Sequence, residues 1–140
     1  MTDCIFCNIL KGNIPSYKVY EDDFVFAFLD ITQVTKGHTL IIPKEHVKDV
    51  FEWTPSIATH LATAIPKVAN ALQKAFPDMQ GLNIVNNNKE LAYQSVFHSH
   101  IHLIPRYTNE DDFALTMRSN MDDYTSDMMQ EIAQNITNQF

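Results

Sequence analysis

The sequence predicts an α+β domain with an antiparallel sheet. Five short stretches rich in aromatic and β-branched residues read as strands, their connections are short, and one long stretch carries a helical apolar stripe. At 140 residues the chain is long enough for a single core.

Taken in order, Asp3 is placed to cap a short helix through "CIFCNILK", which Gly12 ends before the turn "GNIP". "YKVYEDDFVFAFLD" reads as two strands around the acidic turn Glu21, Asp22 and Asp23, "ITQVTKG" as a loop, and "HTLIIP" as a third strand closed by Pro43. Thr54 and Pro55 open the long helix, on which Ile57, Leu61, Ile65, Val68, Leu72 and Phe76 recur at steps of three and four. Pro66 lies inside it and is expected to kink it. "GLNIVNN" and "SVFHSHIHLIP" supply the last two strands. Beyond a domain of residues 1–108, residues 109–140 form an acidic extension. Tyr124, Met128, Ile132, Ile136 and Phe140 recur there every four residues, predicting a last amphipathic helix packed on its own domain or on a twin subunit.

The net charge of -7 belongs to that extension: seven acids face Arg118 alone after residue 108, against ten acids and nine bases before it. Without a basic stripe, polymeric nucleic acid and anionic membranes are poor partners, whereas one pocket for a small phosphorylated ligand remains compatible. "MTDCIFCNIL" carries an acid where a signal peptide needs positive charge, and its apolar stretch is too short for a bilayer, so a soluble cytoplasmic protein is expected. The only cysteines are Cys4 and Cys7, which gives no disulfide framework.

The chemistry concentrates in "QSVFHSHIHLIPR". In a strand, residues two apart share a face about 6.6 Å from one another, so His98, His100 and His102 line one side and Ser99, Ile101 and Leu103 the other. Three buried imidazoles without a function would each need partners for both nitrogens, and every unpaired group costs about 1–3 kcal/mol. Two functional readings follow: a metal held by the three imidazoles, or covalent catalysis in which one imidazole attacks phosphorus while its neighbours orient it and donate to phosphate oxygens.

"QSVFHSHIHLI" fits the H-x-H-x-H-x-x signature with apolar final positions. Together with "CIFCNILKGNIP", "FLDITQVTKGHTLIIPKEH" and "IPRY", the chain resembles the histidine triad family of nucleotide hydrolases and transferases, in particular its bacterial branch. That resemblance implies a five-stranded antiparallel meander sheet with one long helix and short terminal helices, assembled as a homodimer. It implies His100 as the nucleophile that attacks the α-phosphorus of a purine nucleotide, such as a phosphoramidate or dinucleoside polyphosphate, to form a nucleotidyl-histidine. His102 and His38 are implied to orient it and bond the phosphate. Gln94, Ser95 and Asn87 line the phosphate and leaving group, Asp30 receives the ribose hydroxyls, and Ile5, Phe6, Ile9 and Phe28 form the slot for the base.

Cys4 and Cys7 alone supply half of a tetrahedral zinc site. By resemblance His46 of "PKEH" and His98 complete it, so a structural zinc is the favoured reading and two reduced buried cysteines the alternative. One departure is Tyr93, where the family usually has glycine. Two rival functions stay open: a zinc-dependent metallohydrolase using His98, His100 and His102, and a nucleotide-binding regulator whose turnover is incidental.

Overall fold

The computed structural model describes residues 3–140. Five strands, β1 (Lys18–Glu21), β2 (Val25–Leu29), β3 (Thr39–Pro43), β4 (Gly81–Val85) and β5 (Ile101–Arg106), form one antiparallel sheet in the order β1-β2-β3-β5-β4. The expected α+β sheet is present. Its first three strands follow one another as a meander; the chain then crosses through the long helix α2 (Pro55–Ala75) to the far edge, lays down β4, and returns as β5 between β4 and β3.

The pleat sorts side chains onto two layers. Val25, Ala27, Ile41, Ile101 and Leu103 face α2, whose Ile57, Leu61, Ala64, Val68 and Leu72 close the larger core. The alternate residues Phe26, Phe28, Leu40 and Ile42 meet Phe6 of the short helix α1 (Ile5–Leu10) on the opposite face. Because Leu40 pairs with His102 across β3 and β5, the last triad histidine falls on the α1 side. Thr54 caps α2 through the Ile57 N–H with Pro55 in its first turn, and the helix runs on through Pro66 to Ala75. No helix among the described residues is long and apolar enough to cross a membrane.

Two expectations need correction. Cys4, not Asp3, caps α1: its sulfur accepts the Cys7 N–H at 3.3 Å, a bond the C-x-x-C turn closes locally. Strand β5 begins at Ile101, so His98 and His100 lie just before it. The ladder stops there because the Ser99 N–H bonds the Val47 carbonyl and the Pro43 carbonyl is taken by the His98 ring. The expected C-terminal helix α3 (Ser126–Thr137) is present, and no residue from Ala114 to Phe140 is buried by its own chain.

Gly37 turns the loop into β3 with φ +92°, and a Cβ there would lie 2.9 Å from the Phe76 ring. Gly37→Ala is therefore expected to cost about 1–3 kcal/mol from the backbone alone, with the clash added. Urea unfolding of the variant measures it.

Candidate active site

The α1 side of the sheet carries a cleft of about 300 Å³. Ile5, Phe6 and Ile9 of α1, Phe28 and Asp30 of β2 and its end, Ser95, His100 and His102 all line it. The sheet supplies its floor and α1 one wall, which is why residues ninety positions apart share it. Phe6 and Phe28 are also core residues: they meet edge to face at 5.4 Å, and Phe6 packs the same way on His100 at 5.2 Å. Ile14, Pro15, Ile31 and Val96 complete the apolar lining. Sequence reasoning passed over them because a turn proline and loop apolars carry no periodic signal.

Hydrogen bonds fix which nitrogen of each imidazole bears its proton. His100 Nδ1 lies 2.9 Å from the His98 carbonyl, an acceptor only, so Nδ1 donates and Nε2 keeps a free lone pair. The His100 carbonyl is itself held by the Asn86 amide at 2.9 Å. His38 Nδ1 accepts the Val34 N–H at 3.3 Å, so its Nε2 donates to His102 Nδ1 at 2.9 Å. With Nδ1 accepting, Nε2 is the proton-bearing nitrogen of His102, which borders the cleft, and it has no hydrogen-bond partner among the described residues. His98 donates from Nε2 to the Pro43 carbonyl at 2.8 Å and turns Nδ1 toward the cysteines.

Burial keeps these rings neutral. It pushes His102 down to about 4, helped by His100 and His38 and opposed by Asp30; it lowers His38 against the pull of Asp30; and it lowers His100 against its bond to the His98 carbonyl. For Asp30 burial acts upward, but the Thr32 hydroxyl and amide at 2.6 and 2.8 Å on Oδ1 outweigh it and hold the carboxyl below its usual range. Its Oδ2 lies 3.6 Å from His38 Nε2, and the residue lines the cleft.

A stability consequence follows for His102. Unfolded, it binds a proton below its ordinary value of 6.5; folded, only below about 4. Between those limits the unfolded state holds more protons, so stability is intact above pH 6.5 and is lost as pH falls toward 4. The loss is at most about 1.4 kcal/mol per pH unit before discounting for the ring's partial exposure. Urea unfolding at pH 7, 6 and 5 is expected to show a shallower decline for His102→Asn than for the parent chain.

The remaining expected residues separate. Gln94 is buried, and its amide serves the backbone: it donates to the Lys48 and Val96 carbonyls at 2.5 and 3.0 Å and accepts the Lys89 N–H at 2.7 Å. It pins the loop that presents Ser95 to the cleft. Of the three asparagines, Asn86 holds His100 and Asn88 the Val50 N–H; Asn87 makes no side-chain hydrogen bond among the described residues. Tyr93 adopts φ +70°, the left-handed conformation that glycine takes without cost, and its side chain is 87% exposed. Tyr93→Gly is expected to raise stability by about 0.5–1 kcal/mol, read from the urea midpoint.

Beneath α1, Cys4, Cys7, His46 and His98 bring four ligand atoms within 4.8 Å of one another. Cys4 Sγ lies 3.5 Å from His98 Nδ1, and Cys7 Sγ lies 3.3 Å from His46 Nδ1 and 3.6 Å from His98 Nδ1. Tetrahedral zinc with its usual bond lengths sets sulfur and nitrogen ligands about 3.6 Å apart, so the set fits the ion. Burial pushes His98 down to about 4, leaving Nδ1 unprotonated as a ligand requires. The other such group, Asp30, His38 and His102, lies at the cleft. His98 and His102 thus belong to different clusters and His100 to neither, so the triad does not converge on one ion.

A HIT domain model matches residues 11–109. The Protein hit of Bacillus subtilis is 52% identical over 134 residues, 96% of this chain and 92% of that protein. A solved HIT family protein from Bacillus anthracis superposes with a TM-score of 0.95 at 51% identity, over 99% of this chain and 97% of its own. More distant relatives include an adenosine 5′-monophosphoramidase of Schizosaccharomyces pombe, 38% identical over 76% of this chain and 77% of that protein. An adenylylsulfatase of Arabidopsis thaliana is 41% identical over 74% of this chain and 52% of that protein. A zinc-bound histidine triad protein from Mycobacterium smegmatis superposes with a TM-score of 0.74 at 34% identity over 87% of each chain. With a family model matching residues 11–109 and likeness along nearly the whole chain, this protein belongs to the histidine triad, or HIT, family.

Proposed function

We propose that the protein is a nucleotide hydrolase that cleaves purine nucleoside phosphoramidates or dinucleoside polyphosphates at the α-phosphate through a covalent intermediate on His100. The observation that carries this reading is the tautomer of His100: the His98 carbonyl holds its Nδ1 proton, so the free lone pair of Nε2 belongs to a ring that lines the cleft. The activities named for the fission yeast and Arabidopsis relatives, on an adenosine phosphoramidate and an adenylyl sulfate, both break a bond to the α-phosphorus and agree with it.

In the first half-reaction Nε2 of His100 forms a bond to the α-phosphorus, the bond to the leaving group breaks, and the leaving group departs with the electron pair and acquires a proton. The His102 Nε2 proton, fixed by the relay from His38, is positioned to bond a phosphate oxygen as charge builds. In the second, water attacks phosphorus, the phosphorus–nitrogen bond breaks, and the nucleoside monophosphate leaves with His100 neutral again. Asp30 takes the ribose hydroxyls, Ile5, Phe6, Ile9 and Phe28 enclose the base, and Ser95 borders the phosphate end, with Gln94 acting through the loop; Asn87, which does not line the cleft, keeps only the phosphate-site role that family resemblance implies.

Cys4, Cys7, His46 and His98 hold a structural zinc, which ties α1 to the sheet and supplies no chemistry to the phosphate. The metallohydrolase reading fares worse on donor geometry, because His98 Nδ1, His100 Nδ1 and His102 Nδ1 each address a different partner. Acting in the cytoplasm, the protein forms a homodimer; edge strand β4, with Ile84 52% exposed, offers a surface for pairing. The test is to mix protein with adenosine 5′-phosphoramidate, quench in base within the first turnovers, and search by mass spectrometry for an adenylyl group on His100. Turnover without an adduct, abolished by chelator, overturns the covalent reading in favour of metal-activated water; tight mononucleotide binding without turnover of any substrate favours the regulator.

A further inference from the structure

Asp30 and His38 stand at the two ends of one loop between β2 and β3, and the bonds inside that loop converge on Gln33, a residue that does not line the cleft. Its side-chain nitrogen donates inward twice, to the Asp30 carbonyl at 2.6 Å and to the His38 carbonyl at 2.7 Å. Its side-chain oxygen accepts the Gly37 N–H at 2.9 Å. The backbone of Gln33 meanwhile takes φ +41°, a left-handed conformation that a residue with a Cβ holds only where its surroundings require it. A glutamine that merely filled a surface turn would leave its amide to water and its backbone relaxed.

The peptide that follows this constrained backbone carries the Val34 N–H, which bonds His38 Nδ1 at 3.3 Å. The relay itself has no intrinsic direction: the 2.9 Å contact between His38 Nε2 and His102 Nδ1 is satisfied equally well with the proton on either nitrogen. Direction must be imposed from outside. Asp30 Oδ2, 3.6 Å from His38 Nε2, is too far to hold the proton by a hydrogen bond. The Val34 N–H makes Nδ1 the acceptor, which puts the His38 proton on Nε2 and the His102 proton on its own Nε2. Reversed, the relay would present a lone pair of His102 Nε2 to a phosphate oxygen, and two acceptors repel.

We infer that Gln33 is a positioning residue that sets the direction of the His38–His102 relay: its amide holds the loop so that the Val34 N–H stays on His38 Nδ1. Other parts of the loop have their own anchors. The Thr35 hydroxyl donates to the Pro105 carbonyl at 2.6 Å, and the Asp30 N–H to the His38 carbonyl at 3.0 Å. Removing the amide therefore frees the segment of Gln33 and Val34 and leaves β2 and β3 joined. The consequence for turnover rests on the proposed nucleotide chemistry; the consequence for the two imidazoles does not.

Gln33→Gly isolates the amide, because glycine takes the positive φ without cost. Gln33→Glu keeps the shape and an acceptor for Gly37 but offers no donor to either carbonyl. Nitrogen-15 NMR of the imidazoles reads which nitrogen of His38 and His102 bears the proton. The parent chain is expected to show Nε2 in both rings, and both variants to move protons toward Nδ1. Identical tautomers in all three chains overturn the inference, since Asp30 then suffices to orient the relay. With adenosine 5′-phosphoramidate, Gln33→Gly is expected to lower kcat roughly 10-fold with little change in KM, and to have no effect in a His102→Ala background, because it acts through that ring. Equal losses in both backgrounds mark a general structural role and overturn it as well. A parent chain that does not turn over the phosphoramidate counts against the proposed function, and the tautomers then decide the role of Gln33 by themselves.

Discussion

His100→Ala is expected to lower turnover of adenosine 5′-phosphoramidate by at least about 10⁴-fold, with no adenylyl adduct, while mononucleotide affinity changes little. The distinction rests on where the ring's bonds go. One nitrogen is spent on the His98 carbonyl and the other has no hydrogen-bond partner among the described residues, so deleting the ring removes the proposed attacking atom but leaves Asp30 and the apolar walls in place. His102→Ala is expected to cost less, about 10²-fold, because it removes a donor to the phosphate and not the nucleophile. Stopped-flow kinetics with both variants and the parent chain check the order; equal losses would contradict the division of labour between the two rings.

The second large effect concerns stability. Stripping zinc, or replacing Cys4 by serine, is expected to lower stability by about 4 kcal/mol wherever free zinc stands a thousandfold above its dissociation constant. For a chain of this size that corresponds to melting about 10 °C lower or more. The reason is positional: Cys4 caps α1 and Cys7 lies within it, whereas His46 and His98 belong to the segments flanking β3 and β5, so the ion joins a short helix to the sheet that it covers. Calorimetry with and without chelator, with re-addition of zinc, reads the shift. An unchanged melting temperature together with loss of turnover would reverse the assignment from structural to catalytic metal.

Some of this was legible in the sequence because the signals are local. The C-x-x-C turn, the Thr54–Pro55 helix start and the period of α2 each depend on residues within a few positions of one another. The alternation of the triad was legible too, although β5 begins only at Ile101, since the His98 and His100 rings both pack on Phe6 and the His102 ring packs on His100. Other features depend on folding. The relay joins His38 to His102 across 64 positions, and the zinc set joins Cys7 to His46 and His98 across 39 and 91; only the resemblance to known sequences brought those residues together. Gln94 illustrates the opposite limit: a polar residue next to the triad reads as a ligand contact, but the backbone of two loops absorbs its amide.

His98 faces two ways. Its ring addresses the cysteines, and its own carbonyl fixes the proton on the nucleophile two residues later. Under the proposed mechanism Cys4 and Cys7 therefore act as a calibration screw for the His100 ring, through one peptide unit and without touching substrate. Oxidation of either thiol is then expected to slow turnover before it unfolds the chain, so a preparation that is well folded but sluggish points first to those two residues.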